Sequence, residues 1–391
     1  MKAGPWLRLC GLGATASVGL VVASGELGIA HRALVLVALP LLIALVVAAW
    51  LAHRRLLGVT FASLVLFLAA VASWWSEPLH LALAALAFAA TAAAAACLYR
   101  GGRTQPVAWR DYVALTKPRI MSLLLLTGGA GMVAGAQGLP DPMLAGATML
   151  GLALACGGAS ALNHVLDRDI DRSMKRTASR PVAGGRVSPE LALEFGVALS
   201  ALSFVLLASA VNVLTASLAL VGNLFYVLVY TRWLKRSTPQ NIVIGGAAGA
   251  VPPLVGWAAA TGELTLPALY LFLIVFFWTP PHFWALALLI KRDYAAARIP
   301  MLPVVRGDRE TARQVLLYTF LLVALTLLPV ATGTFGPVYL AAAALLGARF
   351  LQLAVALFRS ATPARASALF HYSLAYLALL FIAVAVDPVL L

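Results

Sequence analysis

The chain has 391 residues, of which 62% are hydrophobic and only 11% charged, and its mean hydropathy is +0.95. A water-soluble domain of this length needs far more polar surface, so the composition excludes one and indicates an integral membrane protein. The net charge of +14 does not indicate nucleic-acid binding, because the basic residues lie in short loops between apolar runs.

The apolar segments predict an all-α fold. Runs of roughly 20 residues recur along nearly the whole chain, each long enough as a helix to cross a hydrocarbon core of about 30 Å. They do not alternate as barrel strands would, and helices satisfy the backbone groups that lipid cannot. We expect a polytopic transmembrane helical bundle with four early spans at 9–28, 33–52, 56–75 and 80–99, and nine later spans at 120–137, 143–162, 190–210, 213–230, 243–260, 266–289, 312–331, 337–357 and 368–387.

A polar, basic segment separates the two groups of spans. We predict a four-helix transmembrane extension at 1–100, a cytoplasmic basic linker at 101–119 and a transmembrane domain at 120–391. Residues 1–24 resemble a signal peptide in outline, but a spanning helix is the better prediction because no soluble domain follows them.

Charge asymmetry between the loops predicts the orientation. Lys and Arg residues lie in the loops at 100–119, 163–189, 231–242, 290–311 and 358–367, whereas the loops at 138–142, 211–212, 261–265 and 332–336 contain neither. By the positive-inside rule the basic loops are cytoplasmic and the C-terminus is outside.

Acidic residues gather at the cytoplasmic end of one predicted span. Residues 163–177 read NHVLDRDIDRSMKRT, so three of the chain's 14 acidic residues fall within five positions. Asn163, Asp167 and Asp171 have i, i+4, i+8 spacing and share one face if the helix continues, whereas Asp169 points elsewhere. Two carboxylates and an amide oxygen are hard ligands suited to Mg²⁺.

Basic residues surround this motif, and together they suggest a metal-bridged diphosphate, since Arg pairs with phosphate bidentately and Lys acts as a point charge. A solvated loop of mixed charge is the alternative. The density of acids at a membrane boundary favours a site, because ionisable groups are costly there. The basic residues are Arg168, Arg172, Lys175, Arg176, Arg180 and Arg186.

Two further loops offer complementary groups. Residues 276–304, FFWTPPHFWALALLIKRDYAAARIPMLPV, place Asp293 with Lys291 and Arg292 at the end of another apolar run. Residues 230–246 add Lys235 and Arg236. We therefore expect the three loops to surround one cytoplasmic pocket.

These motifs carry a family resemblance. The NxxxDxxxD pattern resembles the first aspartate-rich motif of the UbiA-type intramembrane prenyltransferases. The chain is similar to the haem O synthase (protohaem IX farnesyltransferase) branch in TKPRI (116–120), NHVLDRDIDRSMKRTASRP (163–181), YTRWLKRSTPQNIVIGGAAGAVPPLVGW (230–257) and WTPPHFWALALLIKRDYAAARIPMLP (278–303). The match covers about 106–391, and implies that the nine later spans form a prenyltransferase core.

The resemblance implies transfer of a farnesyl group from farnesyl diphosphate to a vinyl group of haem B, with addition of water. It implies Mg²⁺ on Asn163, Asp167, Asp171 and Asp293, which are the expected catalytic and metal residues. Many relatives have a second DxxxD, but here Ala297 stands four places after Asp293. The expected diphosphate ligands are Arg119, Lys175, Arg176, Arg180, Lys235, Arg236 and Lys291.

Haem contacts are expected from His282, His164 and Trp284. Neutral imidazole suits iron, and aromatic rings can stack on a macrocycle. The alternative for a lone intramembrane His is a packed, hydrogen-bonded core residue, and aromatic residues at helical spacing are commonly core.

The first hundred residues lie outside this resemblance. They resemble half of a haem A synthase, with His31 and His80 opening alternate helices, an arrangement by which four-helix bundles hold haem. A haem-handling module, with haem A synthase as a partner, and a purely structural extension both remain open.

Two alternatives to the leading function remain. One keeps the fold but changes the acceptor to a quinone precursor or a chlorophyllide. The other is a transporter or haem-binding scaffold, which predicts polar groups near the middle of the spans. The expected location is a bacterial inner membrane, with farnesyl diphosphate, haem B and lipid as partners and no nucleic acid.

Overall fold

The computed structural model describes residues 107–390 and scattered helical positions between 38 and 91. The predicted extension at 1–100, residues 101–106 of the linker, His31 and His80 therefore lie outside the described residues, except for those scattered positions. Across the described part the chain is helical without strands, and nine helices are long and apolar enough to cross a membrane. The predicted all-α membrane bundle is confirmed.

The helices alternate in direction along the chain, which gathers one set of loops at a single end of the bundle. That end, formed by 163–188, 235–240, 290–306 and 360–362, is called the basic face. The helices are α1 (Trp109–Thr116), α2 (Pro118–Ala136), α3 (Pro142–Leu166), α4 (Arg168–Ser173), α5 (Pro189–Ala210), α6 (Val213–Leu224), a π-helix (Phe225–Leu234), α7 (Lys235–Ser237), α8 (Asn241–Thr261), α9 (Leu266–Leu289), α10 (Lys291–Ala296), α11 (Leu302–Val305), α12 (Gly307–Ala331), α13 (Pro337–Arg359) and α14 (Pro363–Leu390).

The helices continue beyond several of the apolar runs from which they were predicted. Helix α12 begins at Gly307, five residues before the predicted start near 312. Its first turn contains Asp308 and is polar, so it did not belong to the apolar run. Helix α3 likewise runs to Leu166. Apolar length therefore identifies the membrane-crossing part of each helix and misses the polar turns at the basic face.

Local sequence explains where many of these helices begin. Proline occupies the first position of α2, α3, α5 and α13, where its missing N–H costs nothing. The side chains of Asp141, Ser188 and Asn212 accept hydrogen bonds from backbone N–H groups three residues later. These caps satisfy donors that a helix start leaves free.

Small residues let α2 and α8 pack with their backbones almost touching. A Cβ atom on Gly256 would lie only 1.8 Å from the carbonyl oxygen of Gly128, and one on Gly131 only 2.4 Å from that of Pro253. Membrane helices gain stability from such close approach because lipid gives little hydrophobic driving force between them. This contact holds α2 and α8 together along their length.

Helices α8 and α9 form its centre. Helix α8 packs against α2, α6 and α9, whereas α9 packs against α12 and α14, and α14 closes back on α2. Both central helices carry adjacent prolines, Pro252–Pro253 and Pro280–Pro281. Such residues are tolerated in membrane helices where surrounding protein satisfies the freed backbone groups.

Candidate functional site

The motif that begins at Asn163 forms one continuous face across a helix break. Helix α3 ends at Leu166 and α4 begins at Arg168, yet the N–H of Asp167 donates to the Asn163 carbonyl (2.9 Å) and that of Asp171 to the Asp167 carbonyl (2.7 Å). The i, i+4 pitch is therefore kept. Asn163, Asp167 and Asp171 are 3%, 1% and 2% exposed, so the bundle encloses all three polar side chains.

Two lysines from distant segments close on this face. Lys235 Nζ donates to Asp167 Oδ2 at 2.5 Å, and Lys117 Nζ donates to Asn163 Oδ1 at 2.7 Å. The Asn163 amide nitrogen donates to the same Asp167 oxygen at 2.8 Å. Buried carboxylates need such partners, because removing a charge from water is costly.

Arg180 neutralises the third member of the motif. Its Nη1 donates to both oxygens of Asp171, at 2.8 and 2.9 Å, and the loop after α4 turns back through Thr177 to place it there. The Thr177 hydroxyl donates to the Asp171 carbonyl. Arg180 is thus held close to the buried acids.

A π-helix positions one side of the site. Within Phe225–Leu234 the Thr231 hydroxyl donates to the Tyr226 carbonyl, five residues earlier, and accepts from the Asn163 amide at 3.1 Å. Extra residues in a helical turn shift the angular position of all that follows, and π-helical turns are frequent at functional sites. Here the wide turns precede Lys235, which reaches Asp167.

Asp169 faces away from this cluster, as the spacing predicts. Asp169 is exposed and forms a bidentate ion pair with Arg236, whose Nη1 and Nη2 donate to its two oxygens at 2.7 Å each. Hydrogen bonds from Arg236 lower the pKa of Asp169 to about 2. Arg236 also donates to the Leu166 carbonyl, so it caps the end of α3 and stays 4.0 Å from Asp167 Oδ1.

One oxygen at the centre of the site lacks a hydrogen-bond partner. Asp167 Oδ1 is buried and accepts no hydrogen bond among the described residues. A buried carboxylate oxygen is expected to be satisfied by a donor or a cation, and the surrounding carboxylate and amide oxygens suit Mg²⁺. Across the described residues no three His, Cys, Asp or Glu side chains form one metal-binding group.

Asp293 lies in the first turn of α10, the short helix that follows the α9 span. It is partly buried and makes no ion pair within the described part of the chain. The neighbouring Tyr294 is buried, which raises the pKa of its hydroxyl, and the charges of both Asp167 and Asp293 raise it further while those of Arg176 and Arg180 lower it. The charges of Asp167 and Asp293 therefore both act on the Tyr294 hydroxyl.

The other predicted diphosphate ligands lie farther from the buried acids. Lys291 Nζ donates to Asp308 at 2.7 Å in an exposed ion pair. Arg119, Lys175 and Arg176 are exposed and have no ion-pair partner in residues 107–390. The structure therefore brings Lys235 and Arg180 into contact with the buried acids. The residues without a hydrogen bond or ion pair to those acids in the described chain are Arg119, Lys175, Arg176 and Lys291.

Lys117 and Thr231 are site residues that the sequence analysis did not single out. Lys117 has left-handed backbone angles (φ 51°) between α1 and α2, which turns the chain into the site. Burial lowers the pKa of Lys117 to about 7, and the positive charges of Arg180 and Lys235 add to the effect. A Lys directly before the helix-initiating Pro118, within TKPRI, was the available signal; Thr231 had none.

The three predicted haem contacts have different surroundings. His282 Nδ1 bonds to Ser373 Oγ (2.7 Å), and its ring stacks between Trp278 and Phe370. His164 is buried, and neither of its ring nitrogens has a hydrogen-bond partner among the described residues. Trp284 packs edge-on against Tyr318 of α12. It lies about 200° around α9 from His282, so these two are not brought together.

In the part of the chain that the structure describes, nine spanning helices enclose acids that are paired with cations at one face. Such a site suits a membrane enzyme that acts on an anionic group, as prenyltransferases do. The model of the UbiA prenyltransferase family matches residues 124–382. The chain belongs to the UbiA prenyltransferase family, which confirms the resemblance noted in the sequence.

Several relatives share the name protoheme IX farnesyltransferase. The chain is 56% identical to the one from Symbiobacterium thermophilum over 71% of this chain and 94% of the relative. It is 53% identical to that from Roseiflexus sp. over 73% of this chain, and 54% identical to that from Thermus thermophilus over 73%. The match spans only about half of these last two relatives, 53% and 46% of their lengths.

Solved structures share the fold. A digeranylgeranylglyceryl phosphate synthase superposes with a TM-score of 0.61 at 20% identity, over 72% of this chain and 99% of that one. A UbiA homologue from Archaeoglobus fulgidus bound to GPP and Mg²⁺ superposes with a TM-score of 0.52 at 18% identity, over 70% and 99%. These similarities support the architecture of the nine spans.

Proposed function

We propose that this chain transfers the farnesyl group of farnesyl diphosphate to a vinyl group of haem B, with addition of water, to give haem O. The observation that carries the proposal is the buried Asn163–Asp167–Asp171 face with Lys117, Lys235 and Arg180 in direct contact. It supports diphosphate chemistry. The choice of farnesyl donor and haem acceptor is supported by identities of 53 to 56% with relatives of that name.

The acidic residues would bind the diphosphate through Mg²⁺, and the basic residues would bind it directly. Asp167 through its unpartnered Oδ1, with Asn163, Asp171 and Asp293, would hold Mg²⁺. The bound ion would supply positive charge against the diphosphate. Lys235 and Arg180 lie in contact with these acids and would donate to diphosphate oxygens. Such fixed donors are worth most where water is excluded.

Bond cleavage and bond formation balance without a covalent intermediate on the protein. The allylic C–O bond of farnesyl diphosphate breaks, and its electron pair leaves with the diphosphate. The vinyl group of haem attacks the allylic cation with its π electrons, and a water molecule adds to the new cation and releases a proton. The products are diphosphate and the hydroxyethylfarnesyl haem.

The apolar helices would protect the cation until the acceptor reacts. The described membrane-spanning helices consist mainly of apolar and small residues, and α8 and α9 are the most enclosed of the spans that the structure describes. Excluding bulk water prevents early hydrolysis of a reactive intermediate. The farnesyl chain would extend from the basic face into this apolar interior.

Orientation follows from the loops. The basic face would be cytoplasmic in a bacterial inner membrane, by the positive-inside rule, with the C-terminus of α14 outside. The product would leave toward an enzyme that oxidises its macrocycle, and haem A synthase is the proposed partner for that step.

Pigment analysis of membranes from cells that express the full chain tests the proposal. Asp167→Ala and Asp293→Ala are compared with Glu263→Gln, an exposed acid in the loop opposite the basic face. We expect wild type and Glu263→Gln to accumulate a haem heavier than haem B by a farnesyl group plus a hydroxyl, and both aspartate variants to lack it. Haem B alone from abundant, folded wild type would reject the haem acceptor. A prenylated quinone precursor or chlorophyllide would support the alternative acceptors.

A further inference from the structure

His282 has a structured environment inside the bundle. It lies on α9, and Trp278, one turn earlier, stacks on one side of its ring with centroids 4.4 Å apart and an interplanar angle of 16°. Phe370 of α14 stacks on the other side at 4.9 Å and 25°. The imidazole is thus held between two aromatic rings, and Phe283 packs perpendicular to it with centroids 5.4 Å apart, so a ligand could reach His282 only along the remaining part of the ring edge.

Hydrogen bonds settle which ring nitrogen carries the proton. The Ser373 hydroxyl donates to the Phe370 carbonyl at 2.6 Å, one turn earlier in α14. Its single hydrogen is then used, so toward His282 Nδ1, 2.7 Å away, it can only accept. Nδ1 therefore carries the hydrogen, and Nε2 presents a lone pair.

The same serine is fixed in space by its backbone. The Trp278 indole N–H donates to the Ser373 carbonyl at 2.8 Å and ties α9 to α14 at this level. His282 keeps 7% of its surface exposed, and its Nε2 makes no hydrogen bond within the described part of the chain. Metal-ligating histidines are neutral, with one ring nitrogen hydrogen-bonded and the other free to bind the metal. His282 has this arrangement, with Nδ1 hydrogen-bonded and Nε2 free.

The position of His282 suits a haem whose edge must reach the diphosphate site. It lies seven residues, or about 10 Å of helical rise, before the end of α9 at Leu289, and Asp293 follows in α10. A haem bound edge-on to the imidazole would lie inside the bundle, below the basic face. Unlike His282, His164 has no hydrogen-bond partner at either ring nitrogen among the described residues, so no such bond fixes its tautomer.

We propose that His282 Nε2 is the axial ligand to the iron of the haem substrate, and that Ser373 is a positioning residue that fixes its tautomer. This inference rests on the proposed haem acceptor. The stacking of Trp278 and Phe370 sets the plane of the imidazole, and therefore the orientation of the haem plane across it. Ligation would present one side of the macrocycle to the farnesyl donor.

The test is a titration of the purified full chain, in lipid nanodiscs, with ferric haem B and without farnesyl diphosphate. Absorption and electron paramagnetic resonance spectra report the iron ligand. We expect an imidazole-ligated spectrum for wild type, its loss in His282→Gly and its return on adding imidazole. In Ser373→Ala we expect haem affinity to fall about 10- to 100-fold, as for other groups that orient metal-ligating histidines. The matched control is His371→Ala, an exposed histidine on the same helix, which should leave the spectrum unchanged.

An unchanged spectrum in folded His282→Gly overturns the inference. Loss of the imidazole-ligated spectrum in His164→Ala, with the spectrum retained in His282→Gly, overturns it as well. If His282→Gly does not fold, Ser373→Ala decides, and wild-type spectrum and affinity there reject the assignment. Turnover is measured separately with farnesyl diphosphate. If wild type shows the His282-dependent spectrum but forms no farnesylated haem, the proposed reaction is rejected and the ligation by His282 stands. If wild type forms farnesylated haem and the spectrum of His282→Gly is unchanged, the ligation by His282 is rejected and the proposed reaction stands.

Discussion

Lys235 offers the sharpest test of the site, because a single contact joins it to the centre of the acidic face. Its side chain is 13% exposed and that of its partner Asp167 only 1%. Lys235→Met keeps most of the volume and removes the charge. A buried carboxylate that loses its partner costs about 3–5 kcal/mol. The low end of that range applies, since the Asn163 amide still donates to Asp167.

The change in kcat of Lys235→Met tests the role of Lys235 more directly than its loss of stability does. Removing one preorganised donor from a site where negative charge develops lowers kcat by about 10² to 10³, so we expect that loss in farnesylated haem formed by purified Lys235→Met. Lys235→Arg should recover part of the rate, because it restores the charge with different geometry. Glu263→Gln serves as the control.

The reasoning would be refuted by folded Lys235→Met that turns over within tenfold of wild type. A thermal unfolding curve measured on the same sample separates this outcome from simple loss of folded protein. If kcat is retained while KM for farnesyl diphosphate rises, Lys235 contributes to binding of the ground state and not to stabilising the leaving group.

Four further predictions follow from other parts of the structure. Gly256→Leu should greatly reduce folded protein in the membrane, measured by detergent-solubilised monodisperse yield, because even a Cβ would contact the Gly128 carbonyl. Lys291→Met should lower kcat by less than about fivefold, since an exposed ion pair is worth only about 0–1 kcal/mol. The Arg236–Asp169 pair should stabilise the fold fully above pH 4 and lose its contribution as pH falls toward 2, because Arg236 lowers the pKa of Asp169; Asp169→Asn should flatten that dependence in unfolding curves. Chelation by EDTA should abolish turnover and added Mg²⁺ should restore it, and activity that survives exhaustive chelation would contradict the metal proposal.

Much of the fold was predictable because membrane spans are encoded locally. Each of the nine later runs overlaps one of the nine spanning helices, since apolar length alone decides whether a segment can cross lipid. The polar first turn of α12 was missed for the same reason. The acidic face was also predictable, because the i, i+4 spacing of Asn163, Asp167 and Asp171 specifies neighbours on a helix.

The partners of that face could not be predicted from spacing. Lys117 lies 46 residues from Asn163 along the chain, and Lys235 lies 68 residues from Asp167. Among many basic residues in the loops, the sequence offers no means to choose between Lys235, which reaches the buried acid, and Lys291, which pairs with Asp308. Helix packing and the wide turns of the π-helix make that choice.

The sequence by itself determined a membrane protein, its nine later spans, one charged face and the acids that line it, because each depends on composition or on residues within a few turns. Only the tertiary structure decided which cations neutralise those acids, which carboxylate oxygen stays free, and which nitrogen of His282 is hydrogen-bonded. The last depends on Ser373, 91 residues away. Contacts between distant segments depend on how helices pack, and packing is a property of the whole bundle and not of any one segment.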